Sequence, residues 1–258
     1  MREAPRLLIL GGTTEARELA ELLTARHGRG LEIVSAQAGR TRAPLAVAGE
    51  LRRGGFGGAE GLAQFLARAG IDAVVDCTHP FALTMKAHAQ IATTARDVKL
   101  LALHRPDWPR SARDHWIEVD DVAGAVASLT PLGMRIFLTL GQRDLEAFAT
   151  LSSRFFFVRL IEPPATFPFA DGEFLLDRGP FTLDGELALM RRVRIDVLVT
   201  KASGGAATFA KIEAARALRL PVVMIRRRQP PDVPSVESVA AALAWVETTL
   251  RLVGPGVE

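Results

Sequence analysis

The first chemically informative stretch of this chain is a glycine turn between an apolar strand and a helix. Leu7–Leu10 is followed by Gly11-Gly12-Thr13-Thr14-Glu15-Ala16-Arg17, after which the apolar residues take helical spacing. Such a turn directs unpaired helix N–H groups and the positive end of the helix dipole at whatever lies above it. The expected occupant is a phosphate, and the alternative is a tight strand–helix junction without a ligand.

The spacing of this turn is a variant of the dinucleotide-binding fingerprint. Gly11 takes the first glycine position, and Ala16 takes the third, where a small residue lets helix and strand pack closely. Thr13 stands where the second glycine is usual, and we expect its hydroxyl to add a donor for the pyrophosphate. The predicted phosphate contacts are Gly11, Gly12, Thr13, Thr14 and Arg17, although Arg17 also fits a surface position on the helix.

The loop after the second predicted strand, Leu31–Ser35, predicts a preference for NADP. An enzyme that uses NAD normally places Asp or Glu at this strand end, whereas this chain has Ser35, followed by Gly39 and Arg40. A hydroxyl and a guanidinium suit a 2′-phosphate. We therefore predict that NADPH is the cofactor and that these three residues contact it; the alternative for Arg40 is a solvated loop position.

Two further loops of the first half carry candidate ligand contacts. The run Gly54-Gly55-Phe56-Gly57-Gly58 would let the backbone approach a flat ligand closely, or it is only a flexible loop. The run Asp76-Cys77-Thr78-His79 ends an apolar strand, and we predict that Thr78 and His79 contact the cofactor. His79 is also a candidate proton donor, with a packed or capping histidine as the alternative.

Three loops of the second half are expected to meet, because the carboxyl ends of parallel strands share one edge of a sheet. They contain Arg143, Arg178 and Thr200-Lys201-Ala202-Ser203-Gly204, and the last run is predicted to open a helix that suits a carboxylate or phosphate. Lys201 is a second catalytic candidate, or it is an exposed lysine. The predicted substrate contacts are Gly57, Arg143, Arg178, Thr200, Lys201, Ser203 and Gly204.

The composition of the 258 residues excludes several function classes. Tyrosine is absent, so the Tyr–Lys acid–base pair of short-chain dehydrogenases and extended sugar-nucleotide epimerases is not available. The single cysteine, Cys77, excludes an intrachain disulfide, and the five dispersed histidines do not predict a metal site. The net charge is only +3 with scattered basic residues, which disfavours nucleic acid as a partner.

The chain is expected to be an α/β protein in the cytoplasm. No apolar run approaches a membrane span, and the N-terminus leads directly into a strand without a signal peptide. Apolar β-branched runs alternate with helical patterns, which predicts two Rossmann-like domains whose mainly parallel sheets face a central cleft. The run Thr130-Pro131-Leu132-Gly133 places the boundary, giving residues 1–131 for NADPH and residues 132–258 for the substrate. The final predicted helix, within residues 236–250, fits either domain.

Taken together, these loops resemble the precorrin-6A reductase family of cobalamin biosynthesis over nearly the whole chain. One departure is Ala202, where the family pattern leads us to expect asparagine, so that position is given no role. Six motifs in the same order carry the resemblance: Gly-Gly-Thr-Thr-Glu-Ala-Arg from residue 11, Ala-Gly-Arg from 38, Gly-Gly-Phe-Gly-Gly from 54, Asp-Cys-Thr-His-Pro-Phe from 76, Arg-Gly-Pro-Phe from 178 and Thr-Lys-Ala-Ser-Gly-Gly from 200.

The resemblance implies NADPH-dependent reduction of one double bond of the precorrin-6A macrocycle, giving precorrin-6B. A related activity of the anaerobic pathway acts on the cobalt-containing analogue. The implied partners are this polycarboxylate small molecule and, as further candidates, other enzymes of the cobalamin pathway. Two alternatives stay open: an NADPH reductase for another polycarboxylate, and an NADPH-binding or sensing protein without catalysis.

Overall fold

The computed structural model describes residues 4–37 and 47–252, in which strands and α-helices alternate. The strands are β1 (Arg6–Leu10), β2 (Glu32–Gln37), β3 (Glu50–Arg53), β4 (Ala73–Asp76), β5 (Lys99–Leu103), β6 (His115–Val119), β7 (Arg135–Thr139), β8 (Phe155–Leu160), β9 (Gly172–Leu176), β10 (Val197–Lys201), β11 (Pro221–Ile225) and β12 (Ser235–Val236). The helices are α1 (Thr14–His27), α2 (Gly58–Ala69), α3 (Leu83–Arg96), α4 (Val122–Ser128), α5 (Gln142–Leu145), α6 (Leu183–Val193), α7 (Ala210–Ala217) and α8 (Val239–Thr249).

These elements form two compact units. The first contains the described residues up to Arg105 and those from Gln229 onward, and the second contains Pro106–Arg228. Each unit is built on one six-stranded sheet in which every strand pair is parallel. The predicted α/β class with two parallel sheets is therefore confirmed.

The first sheet has the strand order β12-β5-β4-β1-β2-β3. The chain runs outward from β1 through β2 to β3, then crosses back to β4 and continues to β5. The order therefore reverses between β1 and β4, whose last residues, Leu10 and Asp76, are register partners. In open α/β sheets, ligands bind beyond the carboxyl ends of the strands at such a reversal.

The second sheet repeats this arrangement in the order β9-β8-β7-β10-β11-β6. Here the chain runs outward from β7 to β8 and β9, and then crosses to β10 and β11. The reversal lies between β7 and β10, where Thr139 and Thr200 are register partners. The loops that follow β7 and β10 are thus the counterparts of the loops that follow β1 and β4.

Local sequence explains why the helices begin where they do. Thr13 caps α1 and Thr182 caps α6, each with a side-chain oxygen that accepts a backbone N–H three residues later.

The helices cover the sheets through apolar faces. In the first unit Leu19 and Leu23 of α1 pack with Val246 of α8 on the same cluster of strand residues.

The predicted boundary near residue 131 is wrong, because strand pairing crosses it in both directions. β6 precedes residue 131 but pairs with β11, with Trp116 opposite Val222. At the other end, β12 pairs with β5 and α8 packs into the core of the first unit. The proline and glycine at 131 and 133 only connect α4 to β7 within the second unit.

Candidate functional site

The reversal point of the first sheet brings two loops together, the turn after β1 and the turn after β4. Gly11 has φ +120°, and a Cβ there would lie 2.8 Å from the carbonyl oxygen of Cys77. The N–H of Gly11 donates to the carbonyl of Ala36 at 2.9 Å. Glycine is therefore required at this position by backbone conformation and by the close approach of the second loop.

Thr13 ties the same two loops together through its hydroxyl. Its Oγ1 donates to the carbonyl of Cys77 at 3.1 Å and accepts from the N–H of Ala16 at 3.2 Å. The expectation that this hydroxyl adds a donor for a phosphate is wrong, because its one proton is already used within the protein. The capacity for an anion here rests on backbone N–H groups.

Gly12 and Thr14 supply the open part of this turn. Both residues are exposed, and Thr14 begins the 14-residue helix α1. The atoms nearest to a Cβ at Gly12 would belong to the side chain of Gln37, at 3.4 Å and beyond, so glycine is not needed there for the fold. Arg17 lies one turn further on, with its Nε 3.6 Å from Glu21 Oε1 across the helix surface.

The second strand ends two residues later than predicted, which changes the residue at its end. Ser35 is 2% exposed within β2, and its hydroxyl has no hydrogen-bond partner among the described residues. The strand end is Gln37, a half-buried neutral amide beside Gly12 that sequence reasoning missed. Gly39 and Arg40, both predicted to bind the cofactor, lie outside the described residues.

The loop after β4 is fixed by a buried ion pair. Asp76 Oδ2 accepts from Lys86 Nζ at 3.1 Å, and both side chains are almost completely buried. The other carboxylate oxygen, Oδ1, accepts from the N–H of Thr78 at 2.9 Å. Burial, followed by the negative charge of Asp76, raises the pKa of the Cys77 thiol far above its usual range, so this cysteine is not a thiolate nucleophile.

Thr78 and His79 follow Asp76 and Cys77 in the loop after β4. His79 is exposed, and its Nδ1 accepts from the N–H of Phe81 at 3.3 Å. A neutral ring that accepts at Nδ1 carries its proton on Nε2. The Thr78 hydroxyl is buried without a hydrogen-bond partner in the described part of the chain.

Gly57 lies in the first unit, whereas the other predicted substrate residues lie in the second. Its φ of +82° and that of its neighbour Gly58, +90°, explain why this loop needs glycine. Between the glycines, the ring of Phe56 packs against Phe65 and lies 4.2 Å from the Arg52 guanidinium. The loop is thus anchored by its phenylalanine.

At the reversal point of the second sheet, Lys201 ends β10 and reaches the turn after β7. Its Nζ lies 2.6 Å from Asp144 Oδ2, and both side chains are about one-fifth to one-quarter exposed. Lys201 is therefore a paired residue rather than a merely solvated one. Asp144 was missed by sequence reasoning, although its position three residues after Gly141 places it at the same strand edge.

The rest of the predicted lysine loop differs from expectation. Thr200 is a buried strand residue, and Ser203 is also buried. No helix begins at Ser203 and Gly204, because a short 3-10 turn covers Ala206–Thr208 and α7 starts only at Ala210. Gly204 has φ +61°, and a Cβ there would overlap the Arg227 guanidinium and the carbonyl of Pro106, so its role is close packing.

Two arginines supply the remaining positive charge at this edge. Arg143 is exposed in α5, and Arg178 is half-buried two residues after β9. Within the described residues, neither side chain has a hydrogen bond or ion pair. Arg178 precedes the cis peptide bond between Gly179 and Pro180, and the N–H of Phe181 donates to Ala207 at 3.2 Å, which holds this loop on the second unit.

Beneath these loops lies a buried charge cluster that sequence reasoning missed, formed by Arg159, Glu186 and Lys211. Arg159 Nη2 lies 2.7 Å from Glu186 Oε1, with side-chain exposures of 7% and 2%. Burial, followed by the charge of Arg159, lowers the pKa of Lys211 to about 7. The visible signal was an arginine inside the apolar run Phe155–Leu160.

No helix in the described ranges is long and apolar enough to cross a membrane. Among the same residues, no group of three or more His, Cys, Asp or Glu side chains could hold a metal ion. The polar groups at the two strand edges include backbone N–H groups, arginines and a lysine, which suit anionic organic ligands.

Comparison with protein families matches residues 6–247 to the family Precorrin-6x reductase CbiJ/CobK. A solved structure of CobK precorrin-6A reductase superposes with a TM-score of 0.90 at 40% identity, covering 95% of this chain and 97% of that one.

Among curated proteins, Precorrin-6A reductase of Rhodococcus erythropolis is 49% identical over 247 residues, covering 95% of this chain and 99% of that protein. The Mycobacterium tuberculosis (strain H37Rv) protein of the same name is 44% identical over 250 residues, covering 93% and 97%. Cobalt-precorrin-6A reductase of Salmonella typhimurium is 27% identical over 233 residues, covering 87% and 88%.

Proposed function

The chain belongs to the precorrin-6x reductase family, and from this premise we propose that it reduces one double bond of precorrin-6A with NADPH, giving precorrin-6B in cobalamin biosynthesis. The observation that carries the proposal is the 49% identity to a precorrin-6A reductase over nearly the full length of both chains. The metal-free macrocycle is the proposed substrate, because the identity to a cobalt-precorrin-6A reductase is only 27%.

The first unit is the proposed NADPH-binding unit. The N–H groups at the start of α1, above Gly12 and Thr14, fit a pyrophosphate, and Arg17 lies one turn away. The end of β2 carries the neutral Gln37 rather than a carboxylate, which would repel a 2′-phosphate. Arg40 is the proposed cation that pairs with the 2′-phosphate. When bound, NADPH supplies the hydride.

The second unit is the proposed substrate-binding unit. Its strand-end loops carry Arg143, Arg178 and Lys201, and precorrin-6A carries acetate and propionate carboxylates that pair well with such groups. Asp144 holds the Lys201 ammonium at 2.6 Å and fixes its position. These residues bind and orient the macrocycle. In the first unit, the glycines at 57 and 58 leave the backbone of their loop open to a flat ligand.

Reduction of a double bond also needs one proton. We assign its delivery to His79, whose Nε2 carries the proton when Nδ1 accepts from Phe81, or to Lys201. Asp76 and Lys86 hold the loop that carries His79, so the ring has a fixed place relative to the turn at Gly11. The buried Cys77 thiol agrees with a reducing compartment, and we propose the cytoplasm as the location.

The test is turnover of precorrin-6A by the purified protein with NADPH deuterated at the transferred position. We expect NADPH oxidation that depends on precorrin-6A, and a product heavier by one deuterium and one hydrogen. NADPH binding without oxidation would instead indicate a sensing protein. If NADPH is oxidised only with the cobalt-containing analogue or with another polycarboxylate, that compound replaces precorrin-6A as the assigned substrate.

A further inference from the structure

The buried charges of the second unit lie beneath two loops that the proposed function uses. Arg159 is on β8, Glu186 is on α6 and Lys211 is on α7, so the cluster lies between the sheet and the two helices that cover it. Arg159 Nε and Nη1 and Glu186 Oε2 are buried with no hydrogen-bond partner among the described residues. Such an arrangement is costly, and apolar side chains of similar volume would be as stable or more stable.

The cluster contacts the loop that carries Arg178 through Phe181. The Cζ of Arg159 lies 4.0 Å from the centre of the Phe181 ring, within the range of a cation–π contact. The same guanidinium lies 5.0 Å from the Phe137 ring within the core. The ion pair with Glu186 fixes the orientation of the Arg159 guanidinium, and the Phe181 ring packs on this guanidinium.

The cluster contacts the loop that carries Lys201 through Trp108. Lys211 Nζ lies 5.3 Å from the centre of the indole ring. The indole Nε1–H donates to the carbonyl of Gly205 at 2.7 Å, at the end of the run from Thr200 to Gly205. One buried cluster therefore contacts aromatic side chains that hold both loops.

We propose that Arg159, Glu186 and Lys211 are positioning residues that hold the Arg178 and Lys201 loops in the arrangement that receives the carboxylates of the substrate. The proposal rests on the proposed function of these loops. The Arg159 guanidinium over the Phe181 ring and the Lys211 Nζ over the Trp108 ring set where each loop lies, and an apolar core would not supply this direction. A small displacement of such groups is enough to weaken substrate binding.

The experiment replaces all three charges with apolar side chains in one variant, Arg159→Met/Glu186→Leu/Lys211→Met. We expect a thermal midpoint no lower than that of wild type, an unchanged Kd for NADPH, and a KM for precorrin-6A raised at least about tenfold. A wild-type KM in a folded triple variant would overturn the proposal. A parallel loss of stability and of NADPH binding would also overturn it, since the cluster would then be structural.

The matched control is Arg135→Met. Arg135 also stacks on a phenylalanine of the second unit, 3.8 Å from the Phe155 ring, but at the amino end of β7. The Arg135→Met variant is expected to keep the wild-type KM for precorrin-6A and the wild-type Kd for NADPH. If the triple variant does not fold, Phe181→Leu and Trp108→Phe keep the charges and remove one loop contact each. Unchanged KM values in both would refute the positioning role.

Failure of the proposed function is separable from failure of this inference. If wild type does not turn over precorrin-6A, amide hydrogen exchange still reports the loops. We expect the triple variant to exchange faster over residues 178–182 and 200–205 and to match wild type over β7 and β8. Unchanged exchange in the two loops would contradict the inference whatever the substrate.

Discussion

In the first unit, β1 leads through Gly11 and Thr13 into a helix of 14 residues, whereas in the second unit β7 leads through Gly141 into a helix of four residues. The long helix offers an N-terminus with aligned peptide dipoles, and the short one has little of this field. The two sheets share one strand order, so their difference arises at the turns rather than in the scaffold.

The charged pairs at the two reversal points also differ, in how far their side chains are exposed. Asp76 and Lys86 are buried under the first edge and satisfy the loop backbone, so they present no charge to a ligand. Lys201 and Asp144 are partly exposed at the second edge. One scaffold thus yields a backbone N–H site suited to phosphate and a side-chain site suited to carboxylates.

The largest expected effect separates the two turns. Gly12→Val places a branched side chain over the N–H groups of the first turn, which is expected to remove two or more phosphate contacts. Because each charged contact is worth about 1.5–3 kcal/mol, the Kd for NADPH should rise roughly a hundredfold or more. The thermal midpoint should stay near that of wild type, since the atoms nearest to a Cβ at this position belong to the flexible side chain of Gln37.

The control is Gly141→Val at the equivalent turn of the second unit, where the nearest atom to a Cβ is 4.0 Å away. Calorimetric titration should show wild-type NADPH affinity for this variant. The reverse pattern, with NADPH lost in Gly141→Val and retained in Gly12→Val, would exchange the roles of the two units.

A smaller effect is expected from Arg40, which we predict to bind the 2′-phosphate. Losing one charge-assisted contact of about 1.5–3 kcal/mol should weaken NADPH binding tenfold or more and leave NADH binding nearly unchanged. Arg17→Ala is the matched control, since a pyrophosphate contact would affect both nucleotides equally. Equal losses of both nucleotides in Arg40→Ala would show that Arg40 does not select the 2′-phosphate.

A several-fold effect is expected from Lys201. Lys201→Ala should raise the KM for precorrin-6A roughly three- to tenfold, because the residue is partly exposed and its pairing is screened by water. NADPH affinity should stay near wild type, and Lys201→Arg is not expected to restore KM, because a planar fork needs a different geometry. Steady-state kinetics with each substrate varied would refute the second-unit site if Lys201→Ala and Arg178→Ala both matched wild type.

The elements of this fold were predictable where the signal is local. The run Leu7–Leu10 and the glycine turn after it predicted β1 and α1, because a continuous apolar run and helical spacing are properties of neighbouring residues. The strands β3 and β12 were missed, because three of the four residues of β3 are charged and β12 has only two residues. The division into units was wrong because β6 pairs with β11 about a hundred residues later.

The candidate site was predictable only in part for the same reason. Strand-end loops were found from sequence, but their internal pairing was not: Lys201 meets Asp144 across 57 residues of separation. Ser35 was wrongly predicted to end the second strand, because β2 continues for two more residues to Gln37. The cluster around Arg159 joins three distant segments, and only its unusual place in an apolar strand marks it in advance.

The smallest expected effect concerns stability and Lys211, a buried lysine of the second unit. The buried lysine of the first unit, Lys86, is instead paired with Asp76. The pKa of Lys211 is about 7 in the folded protein against 10.5 as the ordinary value, so the unfolded chain binds more protons between these pH values. The free energy of unfolding contributed by this group therefore rises as pH increases from 7 to 10.5. Lys211→Met removes the cost of burying the charge and leaves Arg159 paired with Glu186. Its thermal midpoint should exceed that of wild type by a few degrees at pH 6, and the difference should shrink as pH rises through 9. Lys99→Met, at an exposed lysine, is the control and should show no such trend. A constant difference between Lys211→Met and wild type from pH 6 to pH 9 would mean that Lys211 does not titrate in this range.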